Sequence, residues 1–88
     1  MSNEERPIAW MALENGTPVM AADGEDLGKV DDVIADEGKD IFSGVVLRQG
    51  LLDPKKFIPA TAVDEITAAA VRLRISSEES ESLEDYDG

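Results

Sequence analysis

The sequence contains neither cysteine nor histidine in its 88 residues. These absences exclude a disulfide framework, thiolate metal sites, cysteine and histidine nucleophiles, and the side chain that most often transfers protons at neutral pH. A serine nucleophile would need a lysine base, and no spacing in the chain indicates such a pair. We therefore expect no enzymatic activity, no catalytic residue, no cofactor and no metal site.

Basic residues are also scarce, because 8 Lys and Arg stand against 20 Asp and Glu and give a formal net charge of -12. Such a charge repels nucleic-acid phosphates, and the few bases are scattered along the chain rather than clustered. We therefore expect no direct binding to nucleic acid. The acidity itself favours ordinary solvation, with adaptation to a salt-rich cytoplasm as the alternative.

Long apolar runs are missing as well. The apolar stretch from Ile8 to Leu13 is too short for a signal-peptide core or a membrane span, and the residues before it are acidic. These features predict a cytoplasmic protein that does not contact a membrane.

The acidic residues between Asp23 and Asp40 have the composition of a calcium site but not its spacing. In an EF-hand reading that starts at Asp36, glycine is absent from the sixth position, and Arg48 lies close to where a bidentate glutamate is required. The adjacent Asp31 and Asp32 do not form an acid and base pair, because neighbours on a strand point to opposite faces. Solvated turn acids are the favoured interpretation.

Turn-forming residues divide the chain into short β-rich runs. Asp23-Gly24 is a hairpin-type turn, and we expect Gly24 at positive φ. Val30 and Val33 lie three positions apart, so both face inward only if the strand bulges near Asp31 and Asp32. The pattern predicts six strands, near residues 17–21, 28–36, 41–48, 56–59, 63–66 and 69–75.

Short strands at this spacing, without a long helical period, favour an all-β barrel or sandwich over a βαβ fold. We divide the chain into an N-terminal arm (1–15), a β-barrel domain (16–75) and an acidic tail (76–88). Ser76 and Glu79 have the spacing of a helix capping box, so the tail forms either a short helix or a disordered segment. Since Leu83 and Tyr86 offer little apolar area, we expect the tail to be dispensable for folding.

Candidate contact residues come from the third strand and the N-terminal arm. Simple alternation places Phe42 and Val46 on the outer face of that strand, opposite its inward side chains. Trp10 precedes the first strand and either packs within the chain, which we favour, or enlarges this patch together with Met11.

Two further candidates, Leu51 and Leu52, lie in a turn region. They either plug one end of the barrel, which we favour, or remain exposed for a partner.

Five segments of the chain carry a shared pattern, and they are 16–19, 23–33, 57–59, 63–66 and 71–73. The most specific of them is the aspartate-glycine turn at Asp23-Gly24 followed by the leucine-glycine-lysine-valine strand entry that ends at Val30. Together these segments resemble the PRC-barrel domain family, in particular its small stand-alone bacterial members of uncharacterised function.

The resemblance implies a compact antiparallel barrel of about six strands. This module occurs in the photosynthetic reaction-centre H subunit and in ribosome-maturation factors, where it serves assembly and protein contact. The sequence shows neither the membrane helix of the first nor the second domain of the other, so their partners are not transferred. The family defines no catalytic residues to carry onto this chain.

The sequence therefore predicts an all-β protein, a small antiparallel β-barrel of about six strands with a short acidic C-terminal tail. Its predicted function is a non-enzymatic protein-interaction or assembly module that self-associates as a homodimer and binds a protein partner of unknown identity. The predicted contact residues are Trp10, Phe42, Val46, Leu51 and Leu52. The alternative is a ligand-binding or ribosome-assembly accessory domain.

Overall fold

A computed structural model describes residues 10–36, 38–39, 41–50 and 52–86. All six predicted strands are confirmed. Within the described ranges, two 3-10 turns, Trp10–Ala12 and Ala60–Ala62, and one helical turn accompany them. The strands and the helix are β1 (Pro18–Met20), β2 (Asp26–Asp36), β3 (Ile41–Arg48), β4 (Lys56–Pro59), β5 (Val63–Ile66), β6 (Val71–Leu73) and α1 (Ser77–Ser80).

The strands form one mixed sheet in the order β4-β3-β2-β1-β6-β5. The predicted closed antiparallel barrel is only partly confirmed. Strand β1 pairs with β6 in parallel, with Val19 opposite Val71, and within the described residues no ladder joins β4 to β5. The outer edge of β4 is hydrogen-bonded instead to residues 84–86, and Pro59 at the end of β4 has no N–H to donate to a ladder.

One hydrophobic core lies against all six strands, so the open sheet curves around it. Its largest fully buried apolar side chains contribute most to the free energy of folding, since burying one completely gives about 1.5–3 kcal/mol. Leu13, just after the first 3-10 turn, is 8% exposed and belongs to the same cluster. The strand residues of the core are Val19, Leu27, Val30, Val45, Leu47, Ile58, Val63, Val71 and Leu73.

The predicted bulge in β2 is confirmed at Asp31, which the pairing register between β2 and β3 skips. Val30 is buried and Val33 packs against the core, as the bulge was expected to allow. The carboxylate of Asp31 lies 2.9 Å from Lys55 Nζ and 3.8 Å from Arg48 Nε. The bulge thus places the Asp31 carboxylate between Lys55, which precedes β4, and Arg48, which ends β3.

The turn before β2 and the helical turn α1 are joined to each other. Gly24 has a φ of 88°, as predicted for this turn, and the predicted capping box between Ser76 and Glu79 is present. The Asp23 carboxylate accepts hydrogen bonds from the hydroxyl of Ser77 at 2.7 Å and from its backbone N–H at 3.3 Å. These bonds hold the start of α1 against the β1–β2 turn.

Candidate interaction surfaces

A second bulge in the β2–β3 hairpin decides which way Phe42 faces. The register skips Ser43, so that Phe42 pairs with Ala35 while Gly44 pairs with Ile34. Residues directly opposite each other share a face of the sheet, and Phe42 therefore lies on the core side, where it packs against the core cluster. The prediction that Phe42 shares the outer face of β3 with Val46 is wrong.

Trp10 and Phe42 contact each other at the turn end of this hairpin. Their rings are stacked, with centroids 6.0 Å apart and an interplanar angle of 14°. Trp10 is held there because its backbone carbonyl accepts a hydrogen bond from the N–H of Leu13, and Leu13 is part of the core. Both rings are partly buried, so Trp10 packs within the chain and still presents part of its surface.

Val46 does face outward but is only 1% exposed, so its predicted role as an exposed contact is wrong. Phe57 lies directly opposite it on β4, hence on the same face. The ring of Phe57 stacks in turn with Tyr86, at a centroid distance of 6.2 Å. Aromatic side chains from β4 and the C-terminal segment therefore cover the outer face that alternation alone left open.

Two strongly exposed apolar side chains adjoin the stacked rings along the chain. Met11 follows Trp10 and is 64% exposed, and Ile41 precedes Phe42 and is 51% exposed. Ile41 and Phe42 are neighbours on β3 and therefore point to opposite faces of the sheet. The four residues lie at the turn end of the β2–β3 hairpin, and we call them the hairpin surface. Sequence reasoning missed Ile41, because its exposure depends on the bulge at Ser43, for which the sequence gives no clear signal.

The loop between β3 and β4 carries a third exposed apolar side chain. Leu52 is 99% exposed, so the prediction that it plugs one end of the fold is wrong. Leu51 lies outside the described residues. Leu52 stands beyond the end of β3 opposite to the one that carries the hairpin surface, so the two predicted contact regions are not combined.

The C-terminal segment, residues 84–86, adds a short strand-like pairing to the outer edge of β4. The N–H of Phe57 donates to Glu84 O at 2.8 Å, and the N–H of Tyr86 donates to Lys55 O at 2.7 Å. Between these bonds Lys56 and Asp85 form an antiparallel bridge, and their side chains an ion pair of 2.7 Å. We call this pairing the β4 edge site.

The residues leading to the β4 edge site are also packed. Ser80 is 5% exposed, and its hydroxyl donates to Ser77 O at 2.6 Å. Leu83 packs against the core cluster. The tail thus makes apolar and backbone contacts that the sequence did not indicate, and these contacts argue against its being dispensable for folding.

Two surface grooves are the places to look for a small ligand. One, of about 270 Å³, lies beside Gly28, Lys29 and Arg48, and another, of about 400 Å³, lies beside Ala21, Gly24 and other residues of β1 and β6. Pockets for drug-sized ligands span about 300–1,000 Å³ and bury most of the ligand. The grooves are at or below the lower end of this range, and ligand binding or ribosome assembly stays a prediction without a specific contact to favour it.

Two acids of β2 accept hydrogen bonds from neighbouring backbone groups. Asp26 Oδ1 accepts from Gly28 N at 3.0 Å, and Asp32 Oδ1 accepts from Val33 N at 2.8 Å. Among the described residues, no group of three or more acidic side chains is placed to hold a metal ion. In the same part of the chain, no helix has the length and apolar character needed to cross a membrane.

Comparison with known proteins agrees with the strand pattern. The family described as PRC-barrel domain matches residues 15–80 of the 88-residue chain. This match includes all six strands and α1. No curated protein is significantly similar to the chain. On the extent of the family match, the chain belongs to the PRC-barrel domain family.

Proposed function

We propose that the chain is a non-enzymatic protein-interaction module of the cytoplasm that self-associates through the hairpin surface. The observation that carries this proposal is the exposure of Met11 and Ile41, which are the sequence neighbours of the stacked residues Trp10 and Phe42. Among the described residues, only Leu52 is another exposed large apolar side chain. Exposed apolar side chains at the same end of a hairpin as a partly buried aromatic pair are typical of a contact surface.

The stacked rings suit the centre of an interface. Aromatic side chains provide large contact areas, and tryptophan is enriched among the residues that dominate binding energy. Trp10 and Phe42 are already packed against each other, so little side-chain freedom remains to be lost when a partner binds. A twofold axis at the turn end of the hairpin would place the same residues of both copies in the interface.

The expected dimer is weak to moderate. Burying an apolar side chain completely gives about 1.5–3 kcal/mol, and Met11 and Ile41 are already 36% and 49% covered, as their exposures of 64% and 51% show. This gain opposes the entropy lost on association and the repulsion between two chains of net charge -12. Salt screens the repulsion, so added salt should tighten the dimer.

Sedimentation equilibrium tests this proposal with a matched pair of surface variants. We expect the wild type to dimerise in the range of about 100 micromolar, which brackets weak complexes, and more strongly in high salt. The double variant Met11→Ser/Ile41→Ser should remain monomeric, since it removes apolar area from the hairpin surface without opening the core.

Leu52→Ser is the control, because it makes the same kind of change on a side chain that is 99% exposed at the other end of β3. It should dimerise like the wild type. A wild type that stays monomeric at both salt concentrations would overturn the proposal, and so would equal loss of dimer in the control and the double variant.

A further inference from the structure

We propose that the outer edge of β4 is a strand-docking site, and that residues 84–86 of a second copy of this chain dock there when the chain's own segment leaves. The resident occupant is the chain's own C-terminal segment. This goes beyond the proposed function, because it names a second contact between copies that does not involve the hairpin surface.

The backbone geometry at the edge is that of an added antiparallel strand. The hydrogen bonds from Phe57 N to Glu84 O and from Tyr86 N to Lys55 O enclose the pair formed by Lys56 and Asp85. This arrangement is a non-hydrogen-bonded antiparallel pair, in which the two Cα atoms come close together. Main-chain pairing of this kind is how extended peptides bind exposed sheet edges.

Side chains give the edge a preference for a particular peptide. Lys56, whose side chain is 21% exposed, forms its ion pair with Asp85. Phe57 stacks with Tyr86 diagonally across the two antiparallel strands. The site therefore selects a carboxylate opposite Lys56 and an aromatic ring over Phe57. Residues 84–86 of any copy of this chain supply both.

The outer edge of β4 loses backbone and aromatic contacts when residues 84–86 leave it. Without the segment, the N–H of Phe57 and the carbonyl of Lys55 lose their partners, and the Phe57 ring loses its aromatic cover. Unpaired strand edges are templates for pairing with another chain. The edge is therefore expected to be filled, either by its own segment or by that of a neighbour.

The exchange between these two states loses few contacts, chiefly the hydrogen bond from Leu83 N to Ser80 O. Every contact that residues 84–86 make within one chain is remade when they dock on a second chain, which makes exchange of a terminal element a low-cost route to a dimer. The hydrogen bonds of Ser77 to Asp23 hold α1 in place, so the exchanged part begins beyond it, where Glu81 and Ser82 are exposed. Leu83 would move with the segment and pack on the core of the second copy.

The effective concentration of the tethered segment sets the balance. A short flexible tether gives an effective concentration in the millimolar range. The chain should therefore occupy its own edge at low protein concentration and exchange measurably as the concentration approaches about 1 mM.

Cysteine cross-linking of two full-length variants tests the exchange, since the natural chain has no cysteine. We mix Lys56→Cys with an affinity-tagged Asp85→Cys at about 1 mM and oxidise gently. In a non-hydrogen-bonded pair the Cα atoms are about 4.5 Å apart, within the range of about 4.4–6.8 Å that a disulfide spans. We expect a disulfide-linked heterodimer, identified by its mass on non-reducing gels.

The matched control mixes Lys29→Cys with the same tagged Asp85→Cys. Lys29 is exposed on β2, two strands away from β4, and its substitution removes the same charge. The Lys56→Cys mixture should give several times more heterodimer than this control. Equal yields in the two mixtures would overturn the proposal.

Two further measurements separate this proposal from the proposed function. The double variant Lys56→Cys/Asp85→Cys in one chain should form an internal disulfide at micromolar concentration, and failure to do so would contradict the cis occupancy on which the exchange depends. Adding Met11→Ser/Ile41→Ser to both partners should leave the heterodimer yield unchanged. A fall to the control level would show that the β4 edge does not act independently and would overturn this inference.

Discussion

At the scale of single residues, Gly44 is the position where a side chain is least tolerated on β3. A Cβ there would lie 2.1 Å from Ile58 O and 2.8 Å from Phe57 Cζ, and the φ of the residue is +156°. The close approach of β4 and the position of the Phe57 ring therefore require glycine. Gly24 differs, because a Cβ built on it meets no atom within 4 Å and only its φ of +88° is unfavourable.

This difference predicts the order of two substitutions. Gly24→Ala should cost about 1–3 kcal/mol, the usual strain of a non-glycine residue at such a φ. Gly44→Ala should cost more, because overpacking adds about 1–3 kcal/mol. Urea unfolding of both variants measures the order, and equal losses would contradict the close approach of β4 to Gly44.

A second residue-scale prediction concerns Asp23. The hydrogen bond from the Ser77 hydroxyl, together with the backbone N–H groups of Ser77 and Glu25, lowers the pKa of Asp23 below its ordinary value of 3.8. The folded state therefore favours the charged carboxylate. Its contribution to stability is complete above the ordinary value and is lost as the pH falls through the lowered pKa.

Ser77→Ala should raise the pKa of Asp23, because it removes the strongest of these interactions. Carboxyl carbon shifts in an NMR titration measure the change. Ser82→Ala is the control and should leave the pKa of Asp23 where it is. An unchanged titration in Ser77→Ala would mean that the tail is not held to the β1–β2 turn in this way.

At the scale of elements, the two bulges show what the pattern of β2 and β3 can reveal. The bulge at Asp31 was predictable, because Val30 and Val33 face inward together only if the strand gains a residue. The bulge at Ser43 was not, because β3 carries apolar residues on both faces. A shift of one position exchanges the faces without changing the apolar pattern, so the sequence could not place Phe42.

In the tail, too, local contacts were predictable from the sequence and long-range contacts were not. The capping box was predictable from Ser76 and Glu79, since its contacts are local in sequence. The pairing of residues 84–86 with β4 depends on a contact across 29 positions, from Lys56 to Asp85. The composition of six acids around Leu83 and Tyr86 suggested solvation and hid this contact.

The tail provides an element-scale prediction of stability. Tyr86→Ala should destabilise the protein, because an aromatic pair contributes about 0.5–1.5 kcal/mol beyond its buried area. A loss of 1 kcal/mol lowers the melting temperature by about 4–8 °C in a domain of this size. Thermal unfolding followed by circular dichroism measures the shift.

Glu81→Ala is the control for this shift, because Glu81 is exposed and its side chain is not part of the β4 edge site. It should melt close to the wild type. If Tyr86→Ala also melts like the wild type, the stacking of Tyr86 on Phe57 contributes nothing to the fold in solution.

At the scale of the whole molecule, the strands were predictable and their arrangement was not. Local alternation and turn residues located all six strands, but the parallel contact of β1 with β6 joins segments about fifty positions apart, with Val19 opposite Val71. Open or closed architecture depends on what pairs with β4, and here that partner is the C-terminal segment. The order of the strands and the closure of the sheet depend on long-range contacts, which local patterns do not encode.

The charge of the molecule also acts at this scale. The chain carries 20 acids against 8 bases, and ion pairs of the described residues engage the acids Asp31, Asp64 and Asp85. These three acids account for a small part of the negative charge, so a large excess of charge remains. The folded molecule measures 33 × 33 × 23 Å, so charges on opposite sides interact at low salt, where the Debye length is about 30 Å at 0.01 M.

Added salt should consequently stabilise the fold. Raising sodium chloride to about 1 M shortens the Debye length to about 3 Å, which removes repulsion that is stronger in the compact state than in the unfolded chain. The same salt weakens the surface ion pairs, but each is worth only about 0–1 kcal/mol. Repulsion among twelve excess charges outweighs them, so the melting temperature should rise by several degrees.

The triple variant Glu78→Gln/Glu81→Gln/Glu84→Gln tests whether charge is the cause. It removes three exposed acids without touching Asp85 or the backbone bonds of the β4 edge site. Its melting temperature at low salt should exceed that of the wild type, and its rise with salt should be smaller, because less repulsion remains to be screened. A wild type whose melting temperature falls or stays constant with salt would show that the ion pairs of Asp31, Asp64 and Asp85 outweigh the net charge.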